Sequence, residues 1–184
     1  MPNQVDLSSF KNTFYKKGAT YFKIALWTLV YSSIFKNYLI PFSFFKVFFL
    51  RLFGAKIGKN VIIKPAVKIK YPWKLNVGNN CWIGENVWID NLETVTIQDN
   101  VCISQGAFLF CGNHDFKSTS FNLMVDKINI ESGAWIGAKS IVCPGVTIFS
   151  HAILMAGSFA NKDLEPYTIY KGNPAKKYKE RIII

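Results

Sequence analysis

The sequence predicts a mainly β protein: a three-sided parallel β-solenoid preceded by an α-helical extension. Three observations carry this. An aliphatic residue recurs every six positions from Ile57 onward, the hexapeptides fall into groups of three, and two aromatic-rich apolar stretches precede them.

The recurring residues are Ile57, Ile63, Ile69; Val77, Ile83, Ile89; Ile97, Ile103, Leu109; and, after an interruption, Ile130, Ile136, Val142, Ile148 and Leu154. Four places after most of them stands a small or β-branched residue, such as Val61, Cys81, Ala107, Ala134, Ser140 or Ala152. The count slips by two after Ile69 and again after Ile89. Six-residue steps in threes suit short strands on three sides joined by tight corners, each aliphatic side chain stacking on its counterpart one coil away. Neither a helical period nor simple alternation gives this spacing.

Residues 1–53 have a different texture. They hold 15 of the 29 aromatic residues and seven Lys or Arg, with Asp6 as the one acid. Ile24–Phe35 is uncharged, and Asn37–Phe45 is broken by Pro41. Both stretches predict helices, and both are shorter than the ~18–20 apolar residues a bilayer span requires. Two readings stand: packing on the solenoid or a neighbouring subunit, or interfacial contact with an anionic membrane. The domain boundary is expected near Gly54, with the solenoid over 54–184.

The 184 residues carry a net charge of +11 and only 18% charged residues, which fits a folded domain and excludes a disordered one. Cys81, Cys102, Cys111 and Cys143 form no Cys-x-x-Cys pair, so zinc and redox motifs are not expected, and reduced thiols in a cytoplasmic protein are. No signal peptide is expected at the start of the sequence. Gly54–Asn60 is one residue short of a P-loop and lacks its Ser or Thr. No nucleic-acid-reading motif occurs.

With the repeat in hand, the chain resembles the hexapeptide-repeat acyltransferases, and LRLFGAKIG (50–58), VKIKYPWKL (67–75), CGNHD (111–115) and GNPA (172–175) resemble the colanic-acid and capsule-polysaccharide acetyltransferases among them. The resemblance implies a left-handed β-helix, a homotrimer with sites between neighbouring subunits, acetyl-coenzyme A as donor and a saccharide hydroxyl as acceptor. It also implies no metal. Two histidines argue against the three-histidine zinc site of a γ-class carbonic anhydrase built on the same solenoid.

The step of six fails over about 110–129, and a loop interrupting a rigid solenoid is where chemistry is expected. It contains His114. The resemblance makes His114 the general base, a task suited to imidazole, which titrates near neutral pH. Asp115 is expected to orient that ring or bind the sugar, and Asn91 and Asp90 to bind the acceptor. His151 is expected at a solvent-facing turn. By the resemblance Trp135 packs on the pantetheine arm, Ala138 and Ala156 bond it through their backbones, and Lys162, Lys176 and Lys179 meet the coenzyme phosphates. Two rival functions are N-acetylation of an amino-sugar nucleotide and a non-catalytic assembly solenoid.

Overall fold

The structure, a computed structural model, describes residues 4–184; residues 1–3 of the N-terminal segment lie outside them. Five complete coils and part of a sixth stack into a left-handed, three-sided prism. The first face holds Lys56–Ile57, Leu75–Val77, Val95–Ile97, Ile128–Ile130 and Thr147–Ile148. The second holds Ile62–Ile63, Trp82–Ile83, Cys102–Ile103, Trp135–Ile136, Ile153–Leu154 and Thr168–Lys171, with Lys176–Glu180 folding back antiparallel at its end. The third holds Lys68–Ile69, Trp88–Asp90, Phe108–Phe110, Ile141–Val142 and Phe159–Ala160.

The six-residue period is the burial pattern itself. Ile63, Ile83, Ile103, Ile136 and Leu154 stack in line on the second face, each at most 1% exposed. The small partners fit the corners: Val67, Cys81, Val87, Ala107, Ser140 and Ala152 are fully buried. One corner column, Asn60, Asn80, Asn100, Gly133, His151 and Tyr167, turns with positive φ throughout. Asparagine tolerates that conformation, and Asn60 donates to Asn80 and Asn80 to Asn100 along the column. At the second-to-third corner, a Cβ on Gly137 would strike the backbone nitrogen of Ala156, so only glycine lets these coils stack so closely.

Coil length shows where the fold accepts insertions. Lys56 pairs with Asn76 and Asn76 with Thr96, a step of 20 residues; Val95 pairs with Ile128, a step of 33; Asn129 pairs with Thr147, a step of 18. Eighteen is three hexapeptides. Every surplus residue leaves the prism at the corner between third and first faces, after Ile69, Ile89 and Leu109. The largest is a β-hairpin of Gly112–His114 and Leu123–Val125. It is shorter than expected, because Phe110 still belongs to the third face and Ile128 already to the first.

Helix α1 (Tyr21–Val30) is N-capped by Thr20 and continues as a π-helical turn, Tyr31–Phe35; α2 (Ser43–Leu52) follows Pro41. They close the open end of the first coil. The Trp27 indole donates to the Ile69 carbonyl at 2.9 Å, and the Phe35 carbonyl accepts from the Ala66 amide at 2.8 Å. The Arg51 guanidinium donates to the Ile57 and Gly58 carbonyls. Trp27, Phe35, Leu50 and Phe53 join the solenoid core, so residues 21–53 are a cap on the prism more than a free extension. Ahead of α1, the chain climbs the insertion corner: Tyr15 donates to the Leu92 carbonyl, and the Asp6 amide to the Thr119 carbonyl in the hairpin loop.

Candidate active site

His114 ends the first strand of the hairpin. Its Nδ1 lies 2.9 Å from the backbone oxygen of Phe121, and its ring stacks on the Phe121 ring at 4.5 Å and 5°. A carbonyl oxygen can only accept, so Nδ1 carries the proton and Nε2 keeps its lone pair. Phe121 has φ of +49°, which aims its carbonyl back across the loop, and Phe10 from the N-terminal segment stands 6.1 Å from the imidazole centre. The arrangement is a half-buried imidazole with its tautomer fixed, suited to taking a proton at Nε2.

Asp115 does not touch the ring. Its Oδ1 accepts from the Lys117 amide and tightens the loop turn, so the orienting partner is the Phe121 carbonyl. Asn91 also differs from expectation: it is 0% exposed, its Oδ1 accepts from the Tyr71 amide and its Nδ2 donates to the Tyr71 carbonyl. It clamps one two-residue insertion onto the other and has no surface open to solvent. Asp90 is partly exposed and pairs with Lys70 at 2.9 Å.

His151 stands at a turn but is only partly solvent-facing. It stacks on Tyr167 at 4.6 Å, a Cβ on Gly133 would meet its ring at 2.5 Å, and its Nδ1 is buried.

On the second face lies a groove of about 530 Å³. Trp135, Ala138, Ala156 and Lys179 line it, together with Ser104, Met155 and Tyr178. The Trp135 indole donates to the Ser104 hydroxyl at 2.8 Å, holding an exposed ring across the groove. A neighbouring hollow continues it past Met155 and Ala156 to Lys171 and Lys176. Lys177, between Lys176 and Lys179, also borders that hollow, but its ammonium is held by Glu165 and Glu180. Lys162 is elsewhere: it follows the third-face strand Phe159–Ala160 and stands exposed on the insertion corner.

The hairpin and the groove are thus on different sides. His114 leaves the corner between third and first faces, the one corner that the second face does not touch.

No protein-family model matches the chain. It is 39% identical over 177 residues, 96% of its length and 97% of the other's, to the protein named "Putative colanic acid biosynthesis acetyltransferase WcaF" of Escherichia coli (strain K12). The chain belongs to the hexapeptide-repeat acetyltransferases. Among solved members, a galactoside acetyltransferase in complex with coenzyme A superposes with a TM-score of 0.76 at 26% identity, over 86% of this chain and 80% of that one. The hexapeptide-repeat acetyltransferase VCA0836 of Vibrio cholerae O1 biovar eltor, complexed with acetyl-coenzyme A, has the same fold at a TM-score of 0.79 and 20% identity, over 88% of each chain. The described residues contain no cluster of His, Cys, Asp and Glu that could hold a metal ion.

Several residues of this acetyltransferase site escaped sequence reasoning. Phe10 and Phe121 give no pattern that ties them to His114, which lies 104 and seven residues away in the chain. Ser104 could have been found, since the Trp135 strand pairs with the Cys102 strand one coil below it.

Proposed function

We propose that this chain transfers the acetyl group of acetyl-coenzyme A to a hydroxyl of a saccharide intermediate in surface-polysaccharide synthesis, in a site shared by neighbouring subunits of a homotrimer. The observation that carries the reading is the bare Nε2 of His114, fixed by the Nδ1–H bond to Phe121. A sugar hydroxyl is a weak nucleophile, and a positioned base of this kind removes its proton as the oxygen attacks the thioester carbonyl. A solenoid backbone N–H holds the tetrahedral oxyanion, and the departing thiolate takes the proton back from the imidazolium.

Direct transfer is favoured over an acyl-enzyme by the state of the thiols. Burial pushes Cys111 up to about 12 and Cys143 up to about 11, and raises Cys81 and Cys102 as well, so none is a ready thiolate. The groove along Trp135 suits a pantetheine arm, and Lys176 and Lys179 suit the phosphates at its far end. Asp115 is left as the group that binds the acceptor. A sugar acceptor agrees with the relatives: a galactoside offers hydroxyls and no amine, and colanic acid is a polysaccharide.

The opposed positions of hairpin and groove favour the trimer. One subunit cannot bring His114 to its own second face, whereas cyclic symmetry sets each hairpin at the same coil height as a neighbour's groove. Lys162, on the hairpin corner, would then reach that neighbour's donor.

The test is thiol release from acetyl-coenzyme A, measured with saccharides, amino sugars and lipid-linked saccharides, with product mass and linkage. Release with a hydroxyl-only saccharide is the expected result. Response to amino sugars alone would replace the reading with N-acetylation. Silence with every acceptor would leave the solenoid non-catalytic.

A further inference from the structure

The charge of this molecule is concentrated at one end. Residues 21–84, which form the helical cap and the first coils, contain ten of the 22 Lys and Arg and no acid. The rest of the chain sets 12 cations against all 11 acids, so nearly all of the net charge of +11 resides in that end. Lys56, Lys59, Lys64 and Lys68 are exposed on the first coil, and Lys36 on the cap.

The same end is apolar outward. Helix α2 buries Lys46 and Leu50 against the prism and presents Phe44, Phe48 and Leu52, 66%, 57% and 65% exposed, as a stripe along its other side. Helix α1 buries Trp27 and presents Phe22, Leu26 and Leu29. Between them Tyr38, Leu39 and Phe42 are exposed, Leu39 at 88%. A helix apolar on both sides belongs in a larger apolar environment. Contiguous patches of this extent mark an interaction surface.

We propose that the capped end docks on the surface of an anionic lipid bilayer. Phe44, Phe48, Leu39 and Phe22 enter the acyl boundary, and the surrounding lysines meet the headgroups. A second copy of the same end is a poor occupant, since its exposed Lys36, Lys56, Lys59, Lys64 and Lys68 would meet the same cations again. Insertion stays shallow, because among the described residues no helix is long and apolar enough to cross a membrane. The docking is independent of acetyl transfer, although it would bring the site to a lipid-linked acceptor.

The test is co-sedimentation of the full-length protein with vesicles of phosphatidylcholine alone, or of phosphatidylcholine with phosphatidylglycerol. Binding is expected only with the anionic lipid and is expected to weaken in high salt. The triple variant Leu39→Ser, Phe44→Ser, Phe48→Ser alters exposed side chains only and should lower binding by about tenfold or more, with melting and particle size unchanged. A second variant, Lys36→Glu, Lys56→Glu, Lys59→Glu, should do the same while keeping every apolar contact. No binding to anionic vesicles at low salt, or undiminished binding by both variants, would overturn the proposal. A change in particle size with the serine variant would assign the patch to a second copy instead.

Discussion

The imidazole of His114 and the phenyl ring of Phe121 lie parallel, and the backbone oxygen of Phe121 takes the Nδ1 proton of that same imidazole. One residue therefore sets both the plane and the tautomer of the base. His114→Ala should lower the turnover number by roughly 10²–10⁴-fold, the usual worth of a positioned general base. Its melting temperature should stay close to wild type, because the hairpin lies outside the stacked aliphatic columns. His151→Ala should behave in the opposite way. It loses a stacked partner at a left-handed corner, so melting falls while turnover holds. Steady-state kinetics beside thermal denaturation check both, and an active His114→Ala enzyme would end the proposed mechanism.

Asn91→Leu is the test of the clamp. The change removes two hydrogen bonds and leaves the Tyr71 amide buried without a partner, while the Tyr71 carbonyl keeps its bond from the Lys74 amide. A stranded buried polar group costs about 1–3 kcal/mol, so a fall of that size in stability is expected. Denaturant titration reads it. An acceptor-binding role would instead raise the acceptor Michaelis constant with stability unchanged.

The fold was legible because its determinants are local and periodic. Ile63, Ile83 and Ile103 announce their common column by spacing alone, and each is buried where the spacing puts it. The break after Leu109 announced an excursion from the prism in the same way, though not that it forms a hairpin. What escaped lies between distant segments. Nothing in the sequence around Phe10 ties it to His114, and Asn91 reads as an acceptor-binding residue until Tyr71 is seen bonded to it. Lys162 and Lys176 look like one basic run, but 14 residues of a solenoid wind past two corners, and the two lysines end on different sides of the prism.

Lys176→Ala with Lys179→Ala should raise the acetyl-coenzyme A Michaelis constant about tenfold and leave turnover nearly unchanged. Both side chains line the far reach of the groove, where contacts serve ground and transition states alike. Lys177→Ala should do less, since its ammonium is held by Glu165 and Glu180. Initial rates across donor concentration decide this, and an unchanged Michaelis constant in the double variant would remove both lysines from the donor site.

The shared site makes a sharper demand. His114→Ala keeps an intact groove, and Ala156→Trp keeps an intact hairpin while filling the groove at an exposed position. Each homotrimer should be nearly inactive. When the two are unfolded together, refolded at equal amounts and allowed to form mixed trimers, some interfaces join a wild-type hairpin to a wild-type groove. Random assembly around a three-fold axis gives such an interface about one quarter of the time, so about a quarter of wild-type activity should return. Mixing the folded trimers without exchange should restore nothing, which separates subunit sharing from a trivial sum of residual rates. If the refolded mixture stays as inactive as its parents while both variants prove trimeric, each subunit must bring its own His114 to its own groove. The hairpin would then have to cross the third face, a movement that hydrogen–deuterium exchange across residues 112–125 would report as loss of the strand pairing between Asn113 and Met124.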